Sequence, residues 1–80
     1  MTEREIFERL NDVFREVFDD DSIIVDRNTT ADDIEDWDSL EHITLMAAVE
    51  KEFHLRFKMG EVSGMKNVGD MARIIAKRGR

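Results

Sequence analysis

Ser39 is the residue of this 80-residue sequence best placed to do chemistry. It stands in Asp36-Trp37-Asp38-Ser39-Leu40, directly ahead of an apolar run where a helix is expected to begin. A serine at a helix N-cap lies beside unpaired backbone N–H groups and the positive end of the helix dipole. A phosphate ester built on that oxygen would sit where negative charge is favoured. The flanking acids make the approach attractive to a basic modifying enzyme. For a lone serine, capping is the commoner role, and Ser39→Ala would then cost about 1 kcal/mol. His42 lies three residues on and shares a helix face with Ser39, which raises a Ser–His nucleophile. No third group is placed to orient that imidazole, and no oxyanion hole is recognisable. His54 has no matched histidine spacing and the chain has no cysteine, so no metal site is expected. Asp19-Asp20-Asp21-Ser22 lacks the glycine and spaced ligands of a calcium loop and reads as a solvated turn.

The elements that must position Ser39 are helical. Ile6, Phe7, Leu10, Val13, Phe14, Val17 and Phe18 recur on one stripe of a helix from about Glu3 to Phe18. Thr2 is its expected N-cap, with Glu5 completing a capping box. Residues 22–38 form a long connection, in which Ile23, Ile24, Val25 and Ile34 are expected to pin the chain onto the helices. A second helix should run from Ser39 to about Phe53, apolar on more than one face. A helical turn or two should follow over Met59 to Met65. Asn67 and Asp70 then form the capping box of a last helix, which points Val68, Met71, Ala72, Ile74 and Ile75 inward and ends on Lys77, Arg78 and Arg80. The expected fold is all-α: one domain over residues 1–80, a small bundle of three main helices plus one short helix, with a long loop between the first two.

The formal net charge is −7, unevenly placed. Residues 1–40 hold 14 acids against 4 Lys or Arg, and residues 41–80 hold 5 acids against 8. Such a surface repels nucleic acid and anionic lipid and attracts basic protein patches, so neither nucleic-acid binding nor membrane insertion is expected. No apolar stretch resembles a signal peptide or membrane span, and the expected location is the cytoplasm.

Taken together, Asp38-Ser39-Leu40 near mid-chain, the helix ending Val49-Glu50-Lys51-Glu52-Phe53 and the later Lys66-Asn67-Val68-Gly69-Asp70 resemble the acyl carrier protein family along essentially the whole chain. The resemblance implies that Ser39, flanked by Asp38 and Leu40, carries 4′-phosphopantetheine, attached from coenzyme A by a phosphopantetheinyl transferase. The arm's thiol would then hold acyl groups as thioesters and present them to the acyl-loading and acyl-processing enzymes of fatty-acid, polyketide or related biosynthesis. The chain would be a monomeric carrier and not an enzyme. Leu40, Glu41, Ala47 and Glu50 would form the surface that meets basic docking patches. Ile43, Met46, Leu55 and Ile75 would neighbour a bound acyl chain. Trp37 stands where the fatty-acid type has a small residue, and it reads as a loop anchor. With Thr44, Lys51, Arg56 and Lys58, it suggests a specialised carrier. A peptidyl or aminoacyl carrier would use the same serine, though such carriers often show a glycine pair before it. An interaction module with a merely capping serine is the third alternative.

Overall fold

The computed structural model describes residues 1–79 and contains four α-helices: α1 (Glu3–Val17), α2 (Ser39–Phe53), α3 (Met59–Gly64) and α4 (Val68–Arg78). The amphipathic stripe of α1 supplies Ile6, Leu10, Val13 and Phe14 to the core. Its start is the expected reciprocal box: the Glu5 N–H donates to Thr2 Oγ1 and the Thr2 N–H donates to Glu5 Oε1, each at 3.2 Å. The helix packs against α2 and α4, and the core closes with Leu45, Met46, Val49 and Phe53 from α2 and Val68, Met71, Ala72 and Ile75 from α4. Ile74 is only half-buried.

Asp19 turns the chain out of α1 with φ 50°. Asp20 then accepts from both the N–H and the hydroxyl of Ser22, which holds its carboxyl below the usual carboxylate range. The long connection contains a single 3₁₀ turn, Ala31–Asp33. It is tied down as much by polar groups as by apolar ones. Asn11 of α1 accepts from the Val25 N–H at 2.7 Å and donates to the Val25 carbonyl at 3.3 Å. Arg15 donates to the Ile23 carbonyl at 2.7 Å. Val25 is buried and Ile23 and Ile34 pack on the core, but Ile24 is 79% exposed, because alternate residues of this extended stretch face opposite ways. Of the four expected anchors, Ile23, Val25 and Ile34 hold and Ile24 does not.

The connection also reaches α4. The N–H groups of Val68 and Gly69, which have no partner inside their own helix, donate to the carbonyls of Thr29 and Arg27 at 2.9 and 3.1 Å. Gly69 is required there, since a Cβ would stand 2.7 Å from the Arg27 carbonyl oxygen. Asn67 caps α4, accepting from the Asp70 N–H at 2.8 Å. The expected box does not close on Asn67, because the Asp70 carboxylate reaches one residue further out, to the Lys66 N–H. Arg80 lies outside the described residues.

Candidate functional site at the amino end of α2

Two adjacent residues could cap α2, and the structure uses the first. Asp38 is extended, at φ −105° and ψ −173°, and its carboxylate accepts from the Glu41 N–H at 2.8 Å. The Asp38 carbonyl takes the first intrahelical bond, from the His42 N–H at 2.9 Å. Ser39 is therefore the first helical residue and not the N-cap, and the expected capping cost for Ser39→Ala moves to Asp38→Ala. The correction frees the serine. Its side chain is exposed, and the N–H groups of Ser39 and Leu40 have no place in the helical ladder. An anion on the Ser39 oxygen would meet those donors and the positive end of a 15-residue helix.

Trp37 fixes what precedes the cap. Its indole lies edge-on to Phe14 of α1, with ring centroids 5.3 Å apart, and beside Phe18 at 6.3 Å. On its other side the His42 imidazole lies edge to edge with it, ring centroids 5.9 Å apart and 21° between planes. The indole Nε1–H donates to His42 Nδ1 at 3.0 Å. The loop-anchor reading of Trp37 stands, with a specific partner that the sequence did not reveal. A Ser–His nucleophile is disfavoured by the same bond, which occupies the His42 nitrogen nearer its backbone.

Ser39 opens onto a cleft of about 440 Å³. One wall is Trp37, Asp38, Ser39 and His42; the other is Val62, Ser63 and Met65 of the α3 region with Lys66, Asn67 and Met71. This second wall was not assigned from sequence. Its signal was present in the apolar Val62 of the short helix and Met65 just after it, but only the packing of α3 brings them opposite Ser39. None of Ile43, Met46, Leu55 and Ile75 lines this cleft. Met46, Leu55 and Ile75 are buried in the core, and Ile43 is on the outer surface.

The outer stripe of α2 runs through Leu40 and Ile43, 71% and 68% exposed, to the exposed Ala47. Glu41 is half-buried beside the cap. Glu50 is half-buried as well, and its carboxylate turns away to accept from the Phe57 N–H at 2.7 Å. A second open cleft, about 620 Å³, lies along the long connection and is edged by Asp20, Asp26, Asp33 and Glu35. Among the described residues no group of histidine and acid side chains is arranged to hold a metal ion, and no helix is long and apolar enough to cross a membrane.

No family model matches the chain, and no curated protein matches it. Solved structures do. The solution NMR structure of a holo acyl carrier protein from Geobacter metallireducens is 45% identical in sequence and superposes with a TM-score of 0.84, covering 89% of this chain and 82% of the other. Identity at that level over most of both chains, on an all-helical fold, defines the class. The chain belongs to the acyl carrier protein family.

Proposed function

We propose that the chain is an acyl carrier whose Ser39 bears a covalent 4′-phosphopantetheine arm. One observation carries the reading: an exposed serine hydroxyl at the first position of α2, beside two backbone N–H groups free to meet an anion, in a chain 45% identical to a holo carrier. In the transfer, the Ser39 oxygen attacks the phosphorus of coenzyme A that bears the pantetheine. A new ester O–P bond forms, the pyrophosphate bond breaks, adenosine 3′,5′-bisphosphate leaves, and the hydroxyl proton passes to the transferase. The phosphodiester that remains is an anion at a helix N-terminus. Asp38 and Leu40 flank the attachment point, Asp38 shaping the helix start and Leu40 offering an apolar contact.

The arm's terminal thiol then carries acyl groups as thioesters between enzymes of fatty-acid, polyketide or related biosynthesis. The chain itself presents substrate and is not a catalyst. Its partners are a phosphopantetheinyl transferase and acyl-loading and acyl-processing enzymes with basic docking patches. Leu40, Glu41 and Ala47 fit the contact surface they would meet. Glu50 would join it only through the carboxylate oxygen that the Phe57 N–H leaves open. The protein works as a cytoplasmic monomer.

The test is intact-mass analysis after incubation with a promiscuous phosphopantetheinyl transferase, magnesium and coenzyme A. The expected result is the addition of one phosphopantetheine group, abolished in Ser39→Ala. An unmodified wild-type chain would refute the reading. Charging the loaded form with acyl-loading and with amino-acid-adenylating enzymes separates acyl from aminoacyl cargo.

A further inference from the structure

We propose that Trp37 and His42 act as a positioning pair for Ser39, holding the serine in the geometry from which it accepts the arm. The inference rests on the proposed attachment at Ser39 and adds to it which side chains set the nucleophile. The chain segment that delivers Ser39 has an extended cap residue and little regular structure before it, so its direction is not fixed by a backbone ladder. Two local backbone bonds turn it, from the Trp37 N–H to the Ile34 carbonyl at 3.2 Å and from the Asp38 N–H to the Asp36 carbonyl at 3.0 Å, and one side chain ties that turn to the helices. Trp37 is wedged against Phe14 and Phe18 of α1 and hydrogen-bonded to His42 in the first turn of α2, and thereby joins two helices two residues ahead of the serine. The pair is half-buried and forms the wall of the cleft onto which Ser39 opens. Packing alone would let the indole slide over Phe14 and Phe18. The directional N–H to Nδ1 bond gives it one rotational setting. A shift of the loop end would carry Asp38 and Ser39 with it, and misplacing a reacting oxygen by about 1 Å can cost up to ~10²-fold in rate.

Three variants of the full chain dissect the pair. Trp37→Phe keeps an aromatic ring against α1 and deletes the donor. His42→Leu fills the space and deletes the acceptor. His42→Asn places an amide oxygen near the position of Nδ1 and restores an acceptor. Because Trp37 is the only tryptophan, its indole N–H gives a single signal in a ¹⁵N-resolved NMR spectrum. That proton should exchange slowly with solvent in the wild type and in His42→Asn, and quickly in His42→Leu. Arm transfer from coenzyme A by a promiscuous transferase should lose about tenfold in kcat, with KM little changed, in both Trp37→Phe and His42→Leu. His42→Asn should recover most of that loss, and the double variant Trp37→Phe/His42→Leu should be no worse than the poorer single one. Transfer to His42→Leu at the wild-type rate, or equal behaviour of His42→Leu and His42→Asn, overturns the proposal. Fast indole exchange in the wild type does so independently of any transferase. If the wild type takes no arm, the attachment reading falls and this proposal falls with it, whereas a modified wild type with unimpaired variants sinks this proposal alone. Should His42→Leu not fold, Trp37→Phe decides the kinetic question.

Discussion

The two ends of α2 solve opposite problems with similar residues. At the amino end, the acids and apolar side chains are left facing outward: Asp38 and Leu40 are exposed, and the Ser39 hydroxyl stands between them. At the carboxyl end, the acids are turned inward. Glu50 holds the Phe57 N–H, and Glu52 pairs with Arg9 of α1 at 2.8 Å, leaving Lys51 exposed between them. Below this, Phe53 is fully buried, with the Arg9 guanidinium 4.5 Å over its ring. One end is anchored, and the other is left open to solvent. In a small domain of marginal stability, that division decides which substitutions unfold the chain and which only silence it.

The comparison breaks most visibly at Phe53. Phe53→Ala should cost about 3–5 kcal/mol and leave the domain largely unfolded in thermal or urea melts, whereas Ser39→Ala, at the other end, should melt like the wild type. Gly69→Ala comes next. It drives a methyl into the Arg27 carbonyl and should destabilise by about 1–3 kcal/mol in urea titration. Asp38→Ala removes the cap that the serine does not provide, for about 1 kcal/mol. If Ser39→Ala were the costlier of those two, the assignment of the cap would be wrong. At the far end, His54 closes α2 in the left-handed region at φ 55°, so His54→Gly should stabilise by up to about 1 kcal/mol, read as a higher Tm. The smallest effect concerns pH. Glu5, with its carboxyl held below its ordinary value chiefly by the Thr2 backbone N–H, adds stability that is present above that ordinary value. The contribution should fade as pH falls through the lowered value; Glu5→Gln should flatten that acid limb of the melting curve, and Thr2→Ala, which keeps the backbone N–H and loses only the hydroxyl, should flatten it in part.

The helices were legible because their signals are periodic and local. The stripe of α1, its capping box and the span of α2 follow from apolar spacing and cap residues, and they appear within a residue of where those place them. The cap of α2 slipped by one position because aspartate and serine both cap well, and adjacent cap formers give the sequence no means to choose. The polar ties on the long connection were illegible for a different reason. Asn11 and Arg15 look like ordinary solvent-facing residues of an amphipathic helix, and only the path of the loop brings the Val25 and Ile23 backbone to them. Glu50 shows the converse, a charged residue with the look of a docking contact whose carboxylate is bonded within the chain. For the candidate site, the place of the serine at the start of α2 was readable and its cleft was not, since Val62, Met65 and Lys66 meet it only through tertiary packing.

The two bonds from the start of α4 to the carbonyls of Thr29 and Arg27 have a consequence for how the molecule comes apart. They splice the irregular stretch before the serine to the last helix, so neither can loosen while the other stays fully formed. A fluctuation that frees the loop also strips the first turn of α4 of its acceptors, and the opening should spread instead of staying local. The amide protons of Val68 and Gly69, far along the chain, thereby become sentinels for events around residue 28.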